Sequence, residues 1–174
     1  GDDKTKKILE LLGEGKDLAL VTDAGPPGIS DPGGKLVKAV VNRFGKGGEK
    51  ISQVGKVFVA PIPGPSAFVA ALSSAGVPSD DFVFLGFPPN KKGRQTYFDR
   101  LATIESTAVI YESTHRIFKT LDEIDKRTPT RHLIVCRELT KLHETIYRGT
   151  AAEVTEMLTS TSIKGEFVIV FAPL

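Results

Sequence analysis

Cysteine, histidine and net charge are scarce in this 174-residue sequence. The single cysteine, Cys136, excludes an internal disulfide framework, and the apolar run around it indicates a buried strand residue and a reducing compartment. The three histidines show no metal-ligand spacing, so we expect no metal site. A formal net charge of +2 is too small to indicate a nucleic-acid partner by itself.

Uninterrupted hydrophobic segments are also missing. The stretch 57–79 carries no charge, but three prolines and a glycine between 61 and 65 interrupt it, so we predict no transmembrane segment. There is no secretory signal, and a start at Gly1 rather than methionine indicates a shortened or processed chain. An apolar fraction of 40% and a charged fraction of 25% are typical of one large or two small globular domains.

Strand and helix patterns alternate along the chain, which predicts an α/β fold. Short apolar runs predict strands at 18–22, 57–60, 82–86, 108–111, 132–136, 145–148 and 167–172. Periodic apolar positions predict helices at 4–12, 35–44, 66–75, 95–104, 117–126 and 150–158. Thr150 and Glu153 form a capping box at the start of the last helix.

The composition changes sharply at 76–81, which predicts two domains. Residues 1–78 would form an N-terminal α/β domain with a parallel-rich sheet, and residues 79–174 a C-terminal domain with a mixed sheet. The glycine-rich segment 45–50 follows a predicted helix and lacks the spacing of nucleotide-binding loops. We therefore interpret it as a flexible connection.

Two stiff loops each follow a predicted strand. The first, 21–33, contains three glycines, three prolines and two aspartates, and the second, 61–67, reads Pro-Ile-Pro-Gly-Pro-Ser-Ala. Ligands of open α/β sheets bind at the carboxyl ends of strands, so the two loops are predicted to form two walls of one crevice. Ser66 is placed as a helix N-cap, which would direct free backbone N–H groups at a ligand. The alternative is that both loops only connect a strand to a helix.

Six segments in this order resemble the tetrapyrrole methylase superfamily, and within it the members that 2'-O-methylate a cytidine in 16S ribosomal RNA. They are 21–33, 61–67, 86–87, 111–116 (Tyr-Glu-Ser-Thr-His-Arg), 137–141 (Arg-Glu-Leu-Thr-Lys) and 165–166. Each motif is weak alone, whereas six in order are specific. Members usually begin with a further segment, including a first strand and a Pro-x-Gly-Asn-Leu turn, which this chain lacks. It also departs from the pattern at Pro26, at Thr114 and in the longer connection 42–56.

The resemblance implies an S-adenosylmethionine-dependent methyltransferase that forms a homodimer. The residues it assigns to the cofactor are Asp23, Pro26, Ser66, Ala67, Tyr111 and Glu166. Methyl transfer to a ribose hydroxyl needs the methyl group aligned with the oxygen, and usually a base that takes the proton. The candidate bases are Glu112, His115, Glu138 and Lys141, and the sequence does not choose among them.

Basic residues beside the predicted crevice are candidates for binding ribosomal RNA. They are Lys91, Lys92, Arg94 and Arg116. Three simpler interpretations stay open: a solvated basic loop at 91–94, a helix start at 115–116, and a surface ion pair between Glu138 and Lys141.

Two other functions are weighed against RNA methylation. One is methylation of a tetrapyrrole precursor, and the other is a non-catalytic module that binds RNA or a small ligand. The basic loop and the match of the 111–116 and 137–141 motifs favour RNA. We expect a cytoplasmic protein without a membrane or metal partner.

Overall fold

The computed structural model describes residues 2–23, 25–45 and 57–174. The chain divides into two compact units, 1–65 and 66–174. This division falls after residue 65, whereas the sequence predicts a domain boundary after residue 78. The boundary after residue 78 stays a prediction. The predicted flexible connection and most of the long 42–56 connection lie outside the described residues.

The described residues of the first unit form two helices, α1 (Asp2–Gly13) and α2 (Gly34–Phe44), as predicted. The segments 18–22 and 57–60 are not strands, so those two predictions are wrong for the described structure. Their apolar side chains are exposed, for example Val21 at 81% and Phe58 at 50%. A strand needs a hydrogen-bonded neighbour, and the described residues of this unit provide none.

The second unit is built on one five-stranded mixed sheet, which agrees with the predicted class. Its strands are β1 (Phe82–Phe84), β2 (Thr107–Ser113), β3 (Leu133–Arg137), β4 (Thr145–Gly149) and β5 (Glu166–Phe171). The spatial order is β1-β2-β5-β3-β4. Only β1 and β2 pair in parallel; β5 is antiparallel to both β2 and β3, and β4 is antiparallel to β3.

Four helices pack on this sheet, on both of its faces. They are α3 (Ala67–Ala75), α4 (Arg94–Ala102), α5 (Ile117–Asp125) and α6 (Ala151–Thr159), and a short 3-10 helix, Thr114–Arg116, precedes α5. Ala71 and Leu72 of α3 pack against one face, and α4, α5 and α6 cover the other. Each fully buried large apolar side chain contributes about 1.5–3 kcal/mol, so both faces hold the sheet in place.

Two local predictions concern helix starts. The capping box of α6 is confirmed, because Thr150 N donates to Glu153 Oε2 at 2.7 Å and Glu153 N donates to Thr150 Oγ1 at 3.4 Å. Ser66 occupies the N-cap position of α3 with an extended backbone, but its side chain makes no capping hydrogen bond. The first turn of α3 is therefore not closed by its own cap.

Cys136 is buried in β3 and free, as the strand prediction implied. Burial raises the pKa of its thiol to about 11, so the thiol stays protonated near neutral pH. Among the described helices, none combines the length and the apolar character that crossing a bilayer requires.

The strand directions bring several loops to one end of the sheet. Because β1 and β2 are parallel and β5 opposes both β2 and β3, the strands β1, β2 and β3 all end where β5 begins. We call this end of the sheet, with the loop 85–93, the turn 113–116, the loop 138–144 and Glu166, the carboxyl end. It collects polar motifs that are far apart in the sequence.

Candidate functional site

Glu112 lies at the carboxyl end of β2 with only 1% of its surface exposed. Its carboxylate accepts hydrogen bonds from Ser113 N at 2.7 Å and Thr120 Oγ1 at 2.5 Å, and pairs with Arg116 Nε at 2.9 Å. A buried carboxylate is stable only when it is paired and hydrogen-bonded. Glu112 is thus fully engaged inside the protein rather than presented to solvent.

Two arginines connect this carboxylate to the loop 85–93. Arg116 Nη1 donates to Pro88 O at 2.9 Å and also to Asn90 Oδ1. Arg94 Nη1 donates to Pro89 O at 3.2 Å, and its Nη2 donates at 2.8 Å to the Thr120 hydroxyl that bonds Glu112. The loop is therefore held at consecutive residues by side chains that lead back to one buried acid.

Arg94 was predicted to bind RNA, and its position corrects that prediction. Only 4% of the residue is exposed, and its guanidinium lies over the Phe98 ring, 4.8 Å from the centroid. Its Nε and the Tyr97 hydroxyl are buried without a hydrogen-bond partner in the described structure. Burial raises the pKa of Tyr97, so its hydroxyl stays protonated. Arg94 is a support for the loop and is not accessible to a phosphate.

Glu138, Lys141 and Glu166 form a second cluster at the carboxyl end. Lys141 Nζ lies 3.0 Å from Glu138 Oε1 and 2.9 Å from Glu166 Oε2. Hydrogen bonds to Glu166 and to Glu138 raise the pKa of Lys141. The backbone N–H of Glu166 and the Lys141 ammonium lower the pKa of Glu138. The surface ion pair considered above is thus present, with a second carboxylate added.

The backbone around this cluster is tightly constrained. Glu138 and Thr140 both have positive φ, at 51° and 64°, which is uncommon for residues with a side chain. Gly165 has φ 121°, and a Cβ there would overlap the Glu138 side chain. Arg137 Nε donates to Lys164 O at 2.7 Å. This hydrogen bond links the end of β3 to the residues just before β5. Such strain is concentrated at sites where a fixed geometry is needed.

Tyr111 joins the carboxyl end to the start of α3. Its hydroxyl accepts a hydrogen bond from Phe68 N at 3.2 Å and so occupies the position that the Ser66 side chain leaves open. Ser66, Ala67 and Tyr111, three of the predicted cofactor residues, therefore lie together within the second unit. The N-terminal turn of a helix favours a negatively charged group, such as a carboxylate.

The first unit contains two further predicted cofactor residues, Asp23 and Pro26. Asp23 is exposed in the first Pro/Gly loop, where Thr22 Oγ1 donates to Gly25 O at 2.9 Å. Gly25 has φ 72°, and a Cβ there would lie 3.8 Å from Pro65 O of the second loop. Gly25 and Pro65 are thus close together within the first unit. The shared crevice and the cofactor contact by Asp23 and Pro26 stay predictions.

The remaining predicted residues, His115, Lys91 and Lys92, are exposed at the carboxyl end. Within the described part of the chain, the His115 side chain makes no hydrogen bond or ion pair, in contrast to that of Glu112. The same part of the chain contains no group of histidine, cysteine and carboxylate side chains that could hold a metal ion.

Sequence reasoning missed Thr120 and Arg137 and misjudged the surroundings of Glu112. The signal was available in the alternation of β2, because successive strand residues face opposite sides of a sheet. Ile110 belongs to the core under α4, α5 and α6, and Glu112 shares that face, whereas Tyr111 faces α3. The alternation of side chains along β2 therefore places the Glu112 side chain inside the protein.

The amino-acid sequence is similar to those of several known proteins. The chain is 40% identical over 166 residues to ribosomal RNA small subunit methyltransferase I of Halalkalibacterium halodurans, covering 95% of this chain and 53% of that protein. The corresponding protein of Synechocystis sp. is 42% identical over 171 residues, covering 97% and 57%. That of Hydrogenobaculum sp. is 38% identical over 168 residues, covering 96% and 68%. The chain spans about half the length of the first two relatives.

Solved structures support the fold. The crystal structure of the methyltransferase CobJ matches with a TM-score of 0.64 and 20% identity, over 98% of this chain and 70% of that one. Uroporphyrin-III C-methyl transferase from Thermus thermophilus, complexed with S-adenyl homocysteine, matches with a TM-score of 0.59 and 16% identity, over 97% and 73%. The family model described as Tetrapyrrole (Corrin/Porphyrin) Methylases matches residues 1–155. The chain therefore belongs to the tetrapyrrole (corrin/porphyrin) methylase family.

Proposed function

We propose that the chain is an S-adenosylmethionine-dependent methyltransferase that acts on the 2'-hydroxyl of a cytidine ribose in small-subunit (16S) ribosomal RNA. The observation that carries the proposal is the convergence of the 86–87, 111–116, 137–141 and 165–166 motifs at one end of one sheet. The relatives at 40% and 42% identity are ribosomal RNA small subunit methyltransferases, which supports the RNA substrate.

The residues at the start of α3 fit the cofactor. The α3 N-terminus, which the Ser66 side chain does not cap, suits the carboxylate of a methionine moiety, and the Tyr111 hydroxyl orders that turn through Phe68 N. Ser66, Ala67 and Tyr111 would bind S-adenosylmethionine, together with Asp23 and Pro26 of the first unit and Glu166. The cofactor supplies a methyl group on a positively charged sulfur.

His115 is our assignment for the base that takes the ribose proton. The Glu112 carboxylate is buried and already accepts three donors. The raised pKa of Lys141 keeps it charged, and the lowered pKa of Glu138 makes that carboxylate a weaker base. His115 is exposed at the same end of the sheet and free of these pairings.

The RNA contacts of the proposal are electrostatic. Lys91 and Lys92 are exposed on one loop. Arg116 and Arg94 hydrogen-bond the backbone of this loop, so the two lysine side chains project from a backbone that is held in place. Contacts to phosphates position a substrate without reading its sequence. Arg116 contributes by holding the loop. The proposal includes a homodimer in the cytoplasm, where a free buried thiol such as that of Cys136 is expected.

Calorimetry with S-adenosylmethionine and transfer of a tritiated methyl group test the proposal. We expect the full 174-residue chain to bind the cofactor and to label small-subunit RNA but not uroporphyrinogen. Labelling of uroporphyrinogen alone would establish the tetrapyrrole function instead. Cofactor or RNA binding without transfer to either substrate would identify a binding module.

The variant His115→Gln tests the assignment of the base. We expect it to bind cofactor and RNA as the unmodified chain does and to transfer methyl groups about 100-fold more slowly, within the usual range for loss of a general base. The matched control is His143→Gln, because His143 is an exposed histidine on the neighbouring loop. Equal transfer rates in the two variants would exclude His115 as the base.

A further inference from the structure

We infer that Phe87 is a stacking surface for an unpaired nucleobase of the RNA substrate. This inference rests on the proposed function, since it names the part of the RNA that the carboxyl end binds. Phe87 is the first residue after Gly86 in the loop that leaves β1, and 48% of it is exposed. Phe87 thus presents about half of an aromatic side chain to solvent, and an aromatic ring offers a large, rigid surface on which a planar ligand can stack.

The Phe87 ring is supported from one side. Its centroid lies 5.4 Å from that of Tyr111, with an angle of 59° between the planes. Tyr111 in turn meets Phe84 edge-on at 4.9 Å, and Phe84 stacks on Phe68 at 4.6 Å and 21°. Phe87 is therefore the outermost member of a row of four rings that begins at α3. The tilted contact with Tyr111 leaves much of the outer ring available.

The loop backbone fixes the position of this ring. Tyr111 N donates to Gly86 O at 3.0 Å, immediately before Phe87. Immediately after it, Pro88 is buried and its carbonyl accepts from Arg116 at 2.9 Å. The chain is thus held on both sides of Phe87. A rigid ring that is already in place loses little conformational freedom when a planar ligand binds.

Charge indicates what the planar ligand carries. The loop from Gly86 to Gly93 contains Lys91 and Lys92, both exposed, and no acidic residue. An aromatic surface beside ammonium groups matches a nucleotide, because the base can stack while its phosphates meet the positive charges. Unpaired bases of RNA bind in this way, whereas paired bases inside a helix are not accessible to a side chain. We therefore assign the surface to a single-stranded nucleotide of RNA.

The test measures how two 5'-labelled RNA 8-mers, oligocytidylate and the same ribose-phosphate backbone without any bases, bind to the 174-residue chain. Fluorescence anisotropy gives both affinities at 0.1 M salt. Phe87→Ala should weaken oligocytidylate binding by about 5- to 150-fold, the usual range for losing one stacking contact, and leave the abasic RNA unchanged. Phe87→Trp should keep or improve binding to oligocytidylate.

Three further variants separate stacking from other causes. Phe87→Leu keeps an apolar side chain and removes the ring, so it should behave like Phe87→Ala even if the alanine variant folds poorly. Leu142→Ala removes an apolar side chain that is 93% exposed on another loop of the same end, and should leave the affinity for both RNAs unchanged. Lys91→Ala should weaken both RNAs equally, because it removes a phosphate contact.

Several outcomes would overturn the stacking role. Equal loss of oligocytidylate and abasic RNA in Phe87→Ala would do so, as would a matching loss of S-adenosylmethionine affinity, which would place the ring in the cofactor site. Unchanged transfer and KM for small-subunit RNA in Phe87→Ala would reject stacking and leave the methyltransferase proposal intact. Conversely, base-dependent RNA binding by a chain that transfers no methyl group would support stacking and reject the proposed activity.

Discussion

Replacing Glu112 by glutamine keeps the size of the side chain and removes its charge. Arg116 Nε, now 2.9 Å from a carboxylate oxygen, would face a neutral amide, and the amide NH₂ would meet the hydroxyl or N–H groups that now donate to Glu112. Hydrogen bonds to charged groups contribute about 1.5–3 kcal/mol each, and breaking a fully buried pair costs about 3–5 kcal/mol. Because 22% of the Arg116 side chain is exposed, water recovers part of this loss. We expect Glu112→Gln to cost about 3 kcal/mol.

Urea unfolding followed by circular dichroism measures this cost. The matched control is Glu156→Gln, the same chemical change at an exposed position of α6, which should change the free energy of unfolding by less than about 0.5 kcal/mol. Glu112→Gln should also weaken RNA binding, because Arg116 then holds Pro88 less firmly. Equal midpoints for the two variants would refute the supporting role. A Glu112→Gln variant of full stability that binds RNA and transfers no methyl group would assign the carboxylate to the chemistry.

Two predictions concern the second cluster of the carboxyl end. Gly165→Ala should cost about 1–3 kcal/mol in urea unfolding, because its Cβ overlaps the Glu138 side chain; Gly93→Ala, with positive φ but open space around it, is the control and should cost less. Equal costs would mean that only the backbone conformation matters. Glu138→Gln should destabilise the chain at pH 7. The pKa of Glu138 is lowered on folding, so its stabilisation is present above the unfolded pKa of about 4.3 and is lost as the pH falls through the lower folded value. The difference from the unmodified chain should therefore vanish in acid, and a difference that is independent of pH would contradict the ion pair.

The sequence predicted the second unit well, because its signals are local. The apolar runs of β2, β3 and β5 and the capping box of α6 are determined by neighbouring residues, and all four are found in the structure. The short 3-10 helix after β2 was predicted only as the open alternative of a helix start at 115–116, since three residues are too few to show a periodic pattern.

The predictions failed where the structure depends on distant contacts. The segment 18–22 has the composition of a strand, but pairing requires a partner that composition does not reveal. Glu112 and Arg94 looked like exposed functional groups because polar residues in a loop motif usually are. Thr120 hydrogen-bonds both of them, and it lies on α5, where the sequence around it gave no indication of that role.

The central position of β5 has a consequence for how the protein is made. β5 follows the other four described strands in the sequence, yet it lies between β2 and β3 and hydrogen-bonds to both. During synthesis the ribosome releases β2 and β3 long before β5, so the middle of the sheet stays incomplete until residue 171 has emerged. The sheet of the second unit can therefore be completed only after nearly all of that unit has been translated. Until then, the unpaired backbone edges of β2 and β3 can associate with other nascent chains.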